Sequence, residues 1–140
     1  MAPGLTGIGT GVVQGHEIGA GAVFTGHDLE GIDLRGAFLF QADFFETECA
    51  EADFRGANLG RAYFRAAGLR GADFRGADLK RADFYEADLY GAKFDESTQI
   101  GGVSWIGANL DPKKDKHIID LIERSFERTL AALREEDEDE

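Results

Sequence analysis

Large apolar residues recur along this chain at a fixed interval of five. Counting from Phe24, they are Phe24, Leu29, Leu34, Leu39, Phe44, Cys49, Phe54, Leu59, Phe64, Leu69, Phe74, Leu79, Phe84, Leu89 and Phe94. With each of these called position i, position i−2 is Ala in twelve of the fifteen units, while the other three positions are mostly polar or Gly. A period of five fits neither the 3.6 of a helix nor the 2 of a long strand, but it suits a short extended piece followed by a tight corner. A second period lies inside the first: Phe24, Phe44, Phe64 and Phe84 are twenty apart, as are Leu29, Leu69 and Leu89 with Cys49 in their column. Four units therefore close one turn of a four-sided coil. In a short strand i and i−2 share one side, so both point inward and i−1, i+1 and i+2 face water. Coils stacked at about 4.8 Å would set each Phe on the Phe one turn below. Repetition of this kind marks a solenoid. The pattern predicts an all-β solenoid over residues 22–96, a parallel β-helix, followed by a C-terminal α-helix.

The units themselves read ADFFE at 42–46, ADFRG at 52–56, ANLGR at 57–61, ADFRG at 72–76, ADLKR at 77–81, ADFYE at 82–86 and ADLYG at 87–91. This resembles the pentapeptide-repeat family, with its motif A-[DN]-[LF]-x-x, and the resemblance implies a right-handed quadrilateral parallel β-helix. It covers residues 22–96 and departs from the motif at Thr47-Glu48-Cys49, at His27 and Ile32 in place of Ala, and at Tyr63 and Gly68 in place of Asp. The chain is also similar to the gyrase-interacting quinolone-resistance members, in which carboxylates imitate DNA phosphates and the C-terminal region joins two solenoids end to end. That likeness implies DNA gyrase as a partner and a homodimer.

Outside the coil the pattern changes twice. Residues 1–21 are Gly-rich and nearly uncharged, yet Ile8, Val13, Ile18 and Val23 also repeat every five, one residue out of phase with Phe24. Two readings stand: a degenerate first coil joined through a bulge, or a flexible leader. The GIGTG at 7–11 reads as coil corners, since no helix pattern follows it and no Lys is near. After Phe94 the phase fails. Residues 97–112 read as a capping connector in which Ile100, Trp105, Ile106 and Leu110 cover the open coil end, because a bare end exposes strand edges. Asp111-Pro112 signals a helix start, and residues 113–134 carry an apolar stripe of Ile118, Ile119, Ile122, Phe126, Leu130 and Leu133. Residues 135–140 form an acidic tail. The stripe is longer than a cap requires, which points to Ile118, Ile122, Phe126, Leu130 and Leu133 as a dimerisation surface.

Charge narrows the partners. The formal net charge is −12, and six of the acids are the tail Glu135–Glu140. Direct binding of DNA or RNA is disfavoured. No run approaches the roughly 20 apolar residues of a membrane span, the N-terminus lacks the pattern of a signal peptide, and the single Cys cannot form an internal disulfide. A soluble, cytoplasmic protein is expected.

No catalytic constellation emerges. His16, His27 and His117 are dispersed, Cys49 sits at an inward position, and carboxylates on a convex rod are not gathered where their pKa could be tuned. No metal-ligand spacing is present, so no cofactor or metal is expected and the chain does not read as an enzyme. The outward columns are more informative. Asp33/Arg35, Asp53/Arg55 and Asp73/Arg75 form a self-neutralising ladder. Asp43, Phe45, Glu46, Tyr63, Asp83, Tyr85 and Glu86, with Phe38 and Phe40 across one corner, instead form an aromatic and acidic patch with two readings: a partner site, or rings of Phe38 and Phe40 that the N-terminal leader or the C-terminal helix covers. The recurrent Asp at i−1 has two readings, a phosphate-like array or a side chain that bonds backbone N–H groups at each corner; the second better explains its regularity. The sequence thus describes a non-enzymatic protein-binding solenoid whose most specific candidate role is a DNA-mimicking regulator or protector of DNA gyrase. The alternative is a structural scaffold or interaction module without DNA mimicry.

Overall fold

The computed structural model describes the backbone of residues 11–13 and 16–138, and the side chains of residues 18–136 apart from Leu121, Ser125, Phe126 and Thr129. The chain divides into two units, Met1–Leu110 and Asp111–Glu140.

The first unit is the coil. Its β pairing joins residues twenty apart in parallel, from Val23 with Asp43 to Asp73 with Lys93, and each pairing centres on position i−1. Three backbone bonds recur in each unit: Phe24 N–H donates to Asp43 O at 2.8 Å, Asp43 N–H to Ala22 O at 2.8 Å, and Gly26 N–H to Phe45 O at 3.1 Å. At each corner the N–H of i+3 donates to the carbonyl of i, as Ala57 does to Phe54 at 3.0 Å. The residue at i+2 has positive φ, which makes the corner a type II turn. Gly56 meets this demand at 67°, but Gln41 at 60° and Ala66 at 55° adopt it too.

The inward positions form the core. Phe24, Phe44, Phe64 and Phe84 are fully buried and stack at 4.8, 4.6 and 4.9 Å. On the opposite side Phe54, Phe74 and Phe94 stack at 5.1 and 5.4 Å. The two columns meet edge to face, as Phe44 and Phe54 do at 5.6 Å and 89°, so rings fill the width of the coil in geometries that aromatic pairs favour. Where Thr47 replaces the inward Ala, its hydroxyl donates to Phe24 O at 2.9 Å. His27 departs from the inward pattern: it is exposed, and its Nδ1 lies 3.1 Å from Phe24 O.

The break after Phe94 is a one-residue insertion and not the end of the coil. Pairing resumes at a spacing of twenty-one, with Asp78 to Gln99, Asp83 to Ser104 and Asp88 to Asn109. Residues 97–110 therefore extend the walls, and the connector expected over 97–112 is largely coil. Ile100, Trp105 and Leu110 occupy inward positions and pack on the core, with Trp105 stacked 5.4 Å from Phe84; Ile106 lies outside, 68% exposed. Asp95 absorbs the extra residue: its Oδ1 accepts Gly76 N–H at 3.3 Å and Ser97 N–H at 3.0 Å, while Thr98 Oγ1 donates to Phe74 O at 3.0 Å.

At the other end neither reading of residues 1–21 matches the described part. β1 (Gly11–Val13) and β2 (His16–Ile18) pair antiparallel, Gly11 with Ile18 and Val13 with His16. An antiparallel hairpin cannot be a turn of a parallel coil. Ile18 joins the core, whereas Val23 is 64% exposed; Ile8 and most of GIGTG lie outside the described residues.

The second unit holds α1 (Lys116–Glu138). It starts three residues later than the sequence suggested and carries Glu135–Glu138 of the supposed tail. Asp115 explains the start. It sits just before the helix, Ile119 N–H donates to its carbonyl at 3.0 Å, and its Oδ2 accepts Asp111 N–H at 3.0 Å. No helix among the described residues is long and apolar enough to cross a membrane.

Candidate partner-binding surface

One side-chain bond recurs on every face of the coil. The oxygen at i−1 accepts the N–H of i+1: Asp43 from Phe45 at 2.9 Å, Asp53 from Arg55 at 3.1 Å, Asp83 from Tyr85 at 3.0 Å and Asn58 from Gly60 at 3.1 Å. The recurrent Asp is thus turn chemistry first. What the carboxylate's other oxygen does depends on its neighbours, and the four faces diverge there.

On the third face (Leu34, Phe54, Phe74, Phe94) each Asp is consumed. Arg35, Arg55 and Arg75 reach Asp33, Asp53 and Asp73 at 2.8, 2.7 and 2.7 Å. Arg35 and Arg55 also lie 3.7 Å from the Asp one coil on, so the ladder runs continuously. The hydrogen bond from Arg35 holds Asp33 below the usual carboxylate range. At Asp73 burial pushes upward, and the bonds from Arg75 outweigh it.

The first face (Phe24, Phe44, Phe64, Phe84, Trp105) is unlike it. Phe45, Tyr63 and Tyr85 stand outward at 40, 47 and 38% exposure, joined by Val23 and Ile106. Its acids are Asp43, Glu46, Asp83 and Glu86, and its one base, Arg65, is already bound to Asp83 at 2.6 Å and lies over the Tyr85 ring at 5.1 Å. The second face (Leu29, Cys49, Leu69, Leu89, Leu110) repeats the scheme. Asp28, Glu30, Glu48, Glu51 and Asp88 face Arg70 alone, which binds Asp88 at 2.6 Å beneath Tyr90. Glycines seat the carboxylates there: a Cβ on Gly68 would stand 2.6 Å from Glu48 Oε2. The sequence reading missed Tyr90 and Val23, although both occupy outward columns in its own register, and Ile106, which it set over the coil end.

Phe38 and Phe40 belong to the fourth face (Leu39, Leu59, Leu79, Ile100), around the corner from Asp43 and Phe45. Phe38 is 39% exposed, but Phe40 is half-buried on Gly60. The nine residues named from the sequence thus lie on two faces, on either side of one corner. Of the dimerisation stripe, Ile118 is buried, while Leu130 and Leu133 are 37 and 53% exposed; the side chain of Phe126 lies outside the described residues.

For chemistry the coil offers little. Cys49 is buried, and burial pushes its thiol well above the ordinary range, which keeps it unreactive. Among the described residues no cluster of His, Cys, Asp and Glu could hold a metal ion.

The comparisons agree with this architecture. The model of pentapeptide repeats matches residues 22–61 and 57–95 in eight copies. The chain belongs to the pentapeptide-repeat family. Its coil is accordingly the right-handed β-helix of that family. The pentapeptide repeat protein Rfr23 from the cyanobacterium Cyanothece 51142 is 29% identical over 66% of this chain, with a TM-score of 0.62. This chain spans 63% of that protein's length. A pentapeptide repeat protein of the Arabidopsis thaliana thylakoid lumen is 32% identical over 67% of this chain and 74% of its own, with a TM-score of 0.35. QnrB1, a plasmid-mediated fluoroquinolone resistance protein, is 15% identical over 66% of this chain and 72% of its own, with a TM-score of 0.39. Among curated proteins none matches.

Proposed function

We propose that this coil is a non-enzymatic binding module whose first and second faces dock on a basic, partly apolar surface of another protein. The observation that carries the reading is the segregation of charge. Two adjacent faces display carboxylates whose only bases are already paired, together with exposed aromatic rings, while the third face cancels its own charge. Exposed aromatic groups of this kind are the usual anchors of protein interfaces. Carboxylates spaced by whole coils along a rod, each coil rising about 4.8 Å, also suit a groove built for the phosphates of DNA, and the DNA-binding saddle of gyrase is the most specific candidate partner. Exposed Leu130 and Leu133 on α1 favour a twofold pairing of two chains, which would double the displayed length.

A supercoiling assay with purified gyrase tests the specific partner. Inhibition, or protection from a quinolone, is expected at micromolar protein and should vanish in Phe45→Arg/Tyr85→Arg. Supercoiling unaffected by the parent protein with and without the drug would remove gyrase. A scaffold role without DNA mimicry would gain if a partner bound the helix and not the coil.

A further inference from the structure

We propose that the corner between the fourth and first faces is a binding site for a phosphate group, held by Arg61 and Arg81. These arginines occupy successive i+2 positions, one coil apart, at φ of 54° and 61°. Every other arginine of the coil, Arg35, Arg55, Arg65, Arg70 and Arg75, lies within 2.8 Å of a carboxylate. Among the described residues Arg61 and Arg81 make no salt bridge, in a chain of net charge −12. Two like charges side by side oppose each other, and both residues hold a backbone conformation that suits Gly better. Other non-Gly residues share that corner conformation, so it is the unpaired like charges that run against local stability, which is the pattern of a site kept for a ligand.

The surroundings fit. A shallow cavity of about 280 Å³ is lined by Phe40, Asn58, Gly60, Arg61, Asp78, Lys80 and Arg81. Asp78 is committed to Lys80, its Oδ1 accepting the backbone N–H at 3.0 Å and its Oδ2 lying 3.7 Å from Nζ. Missing side chains make the room: a Cβ on Gly60 would stand 3.0 Å from Phe40 Cδ2, and one on Gly102 would stand 3.1 Å from Arg81 Cγ. Phe40 supplies an apolar wall. A guanidinium presents paired N–H donors in a planar fork. A carboxylate has two oxygens, enough for one fork, whereas a phosphate has a third that a second fork about 4.8 Å away can reach. The ligand class is therefore a phosphate-bearing molecule. The site lies on the side of the coil where basic residues predominate, Arg61, Lys80 and Arg81 against Asp78, and does not depend on the acidic faces or their partner.

The positive φ values supply a variant that separates binding from folding. Inorganic pyrophosphate, titrated at constant ionic strength into isotope-labelled full-length protein, should shift the amide signals of Gly60, Arg61, Arg81 and Gly102 saturably. In Arg61→Gly/Arg81→Gly the affinity should fall at least tenfold while the melting midpoint stays equal or rises, because Gly suits the corner and the repulsion is gone. A hexaglutamate peptide at equal charge should not displace pyrophosphate. Unsaturable shifts, unchanged affinity in the double variant, a lowered midpoint or displacement by hexaglutamate would each overturn the assignment.

Discussion

The third and first faces are built on the same backbone, with the same inward Phe and the same aspartate bond from i−1 to the N–H of i+1. They differ at their outward positions, most of all at i+1. Where i+1 is Arg35, Arg55 or Arg75 the carboxylate is bound twice and the face becomes an internally cancelled ladder. Where i+1 is Phe45 or Tyr85 an aromatic ring takes the place of that cation, and Asp83 is held instead by Arg65 one coil back. Structure and display are thus separable in this fold: inward residues and the corner hold the coil, and the outward columns decide what each side offers. Exposed ion pairs are individually weak, so the ladder matters more for what it conceals than for what it stabilises.

The largest test of this separation is across the wall itself. Phe54→Asp should unfold the coil, since it loses a buried ring and buries an unpaired carboxylate at a cost above about 5 kcal/mol, comparable to the whole stability of a domain. Arg55→Glu on the next residue should cost no more than about 2 kcal/mol. Thermal melts that coincide would reject the register.

Next in size is conversion of one face into the other. Phe45→Arg/Tyr85→Arg gives the first face the Asp/Arg alternation of the third, and binding of the partner should weaken at least tenfold with stability within about 0.5–1 kcal/mol of the parent. Retained binding would move the site elsewhere.

Corner strain gives a smaller effect. Nothing lies within 4 Å of a Cβ on Gly56, so Gly56→Ala adds backbone strain alone and should lower stability by about 1 kcal/mol. Ala66→Gly removes the same strain at φ 55° and should be neutral or stabilising by up to about 1 kcal/mol. Chemical denaturation that ranked the two variants the other way would contradict the turn assignment.

The smallest effect is acid sensitivity. Asp33 and Asp73 have pKa values lowered in the folded state, so their contribution is complete above the unfolded value of about 3.9 and is lost as pH falls through the folded values. Replacing Arg35, Arg55 and Arg75 with Gln should flatten the loss of stability below about pH 4. An unchanged slope would show that the ladder does not hold these pKa values down.

The sequence by itself determined the period, the four-sided coil and the inward residues, because each depends on local chain geometry that repeats. It also determined that Asp at i−1 serves the corner, a bond spanning only two residues. Counting in fives stopped at Phe94, since one extra residue puts Gln99 where a large apolar residue was due; allowing the slip would have found Ile100, Trp105 and Leu110, with Val103 and Ala108 two places before the last pair. Only the stacked coil decided that Asp95 could absorb that residue, by lending its carboxylate where the ladder expected a carbonyl. The antiparallel pairing of β1 with β2 was equally hidden, because hydrophobic spacing carries no strand direction. The tertiary structure also left Arg61 and Arg81 without a salt bridge among the described residues. Charge pairing between coils joins residues eighteen apart, and stacking alone sets which of those neighbours come within reach.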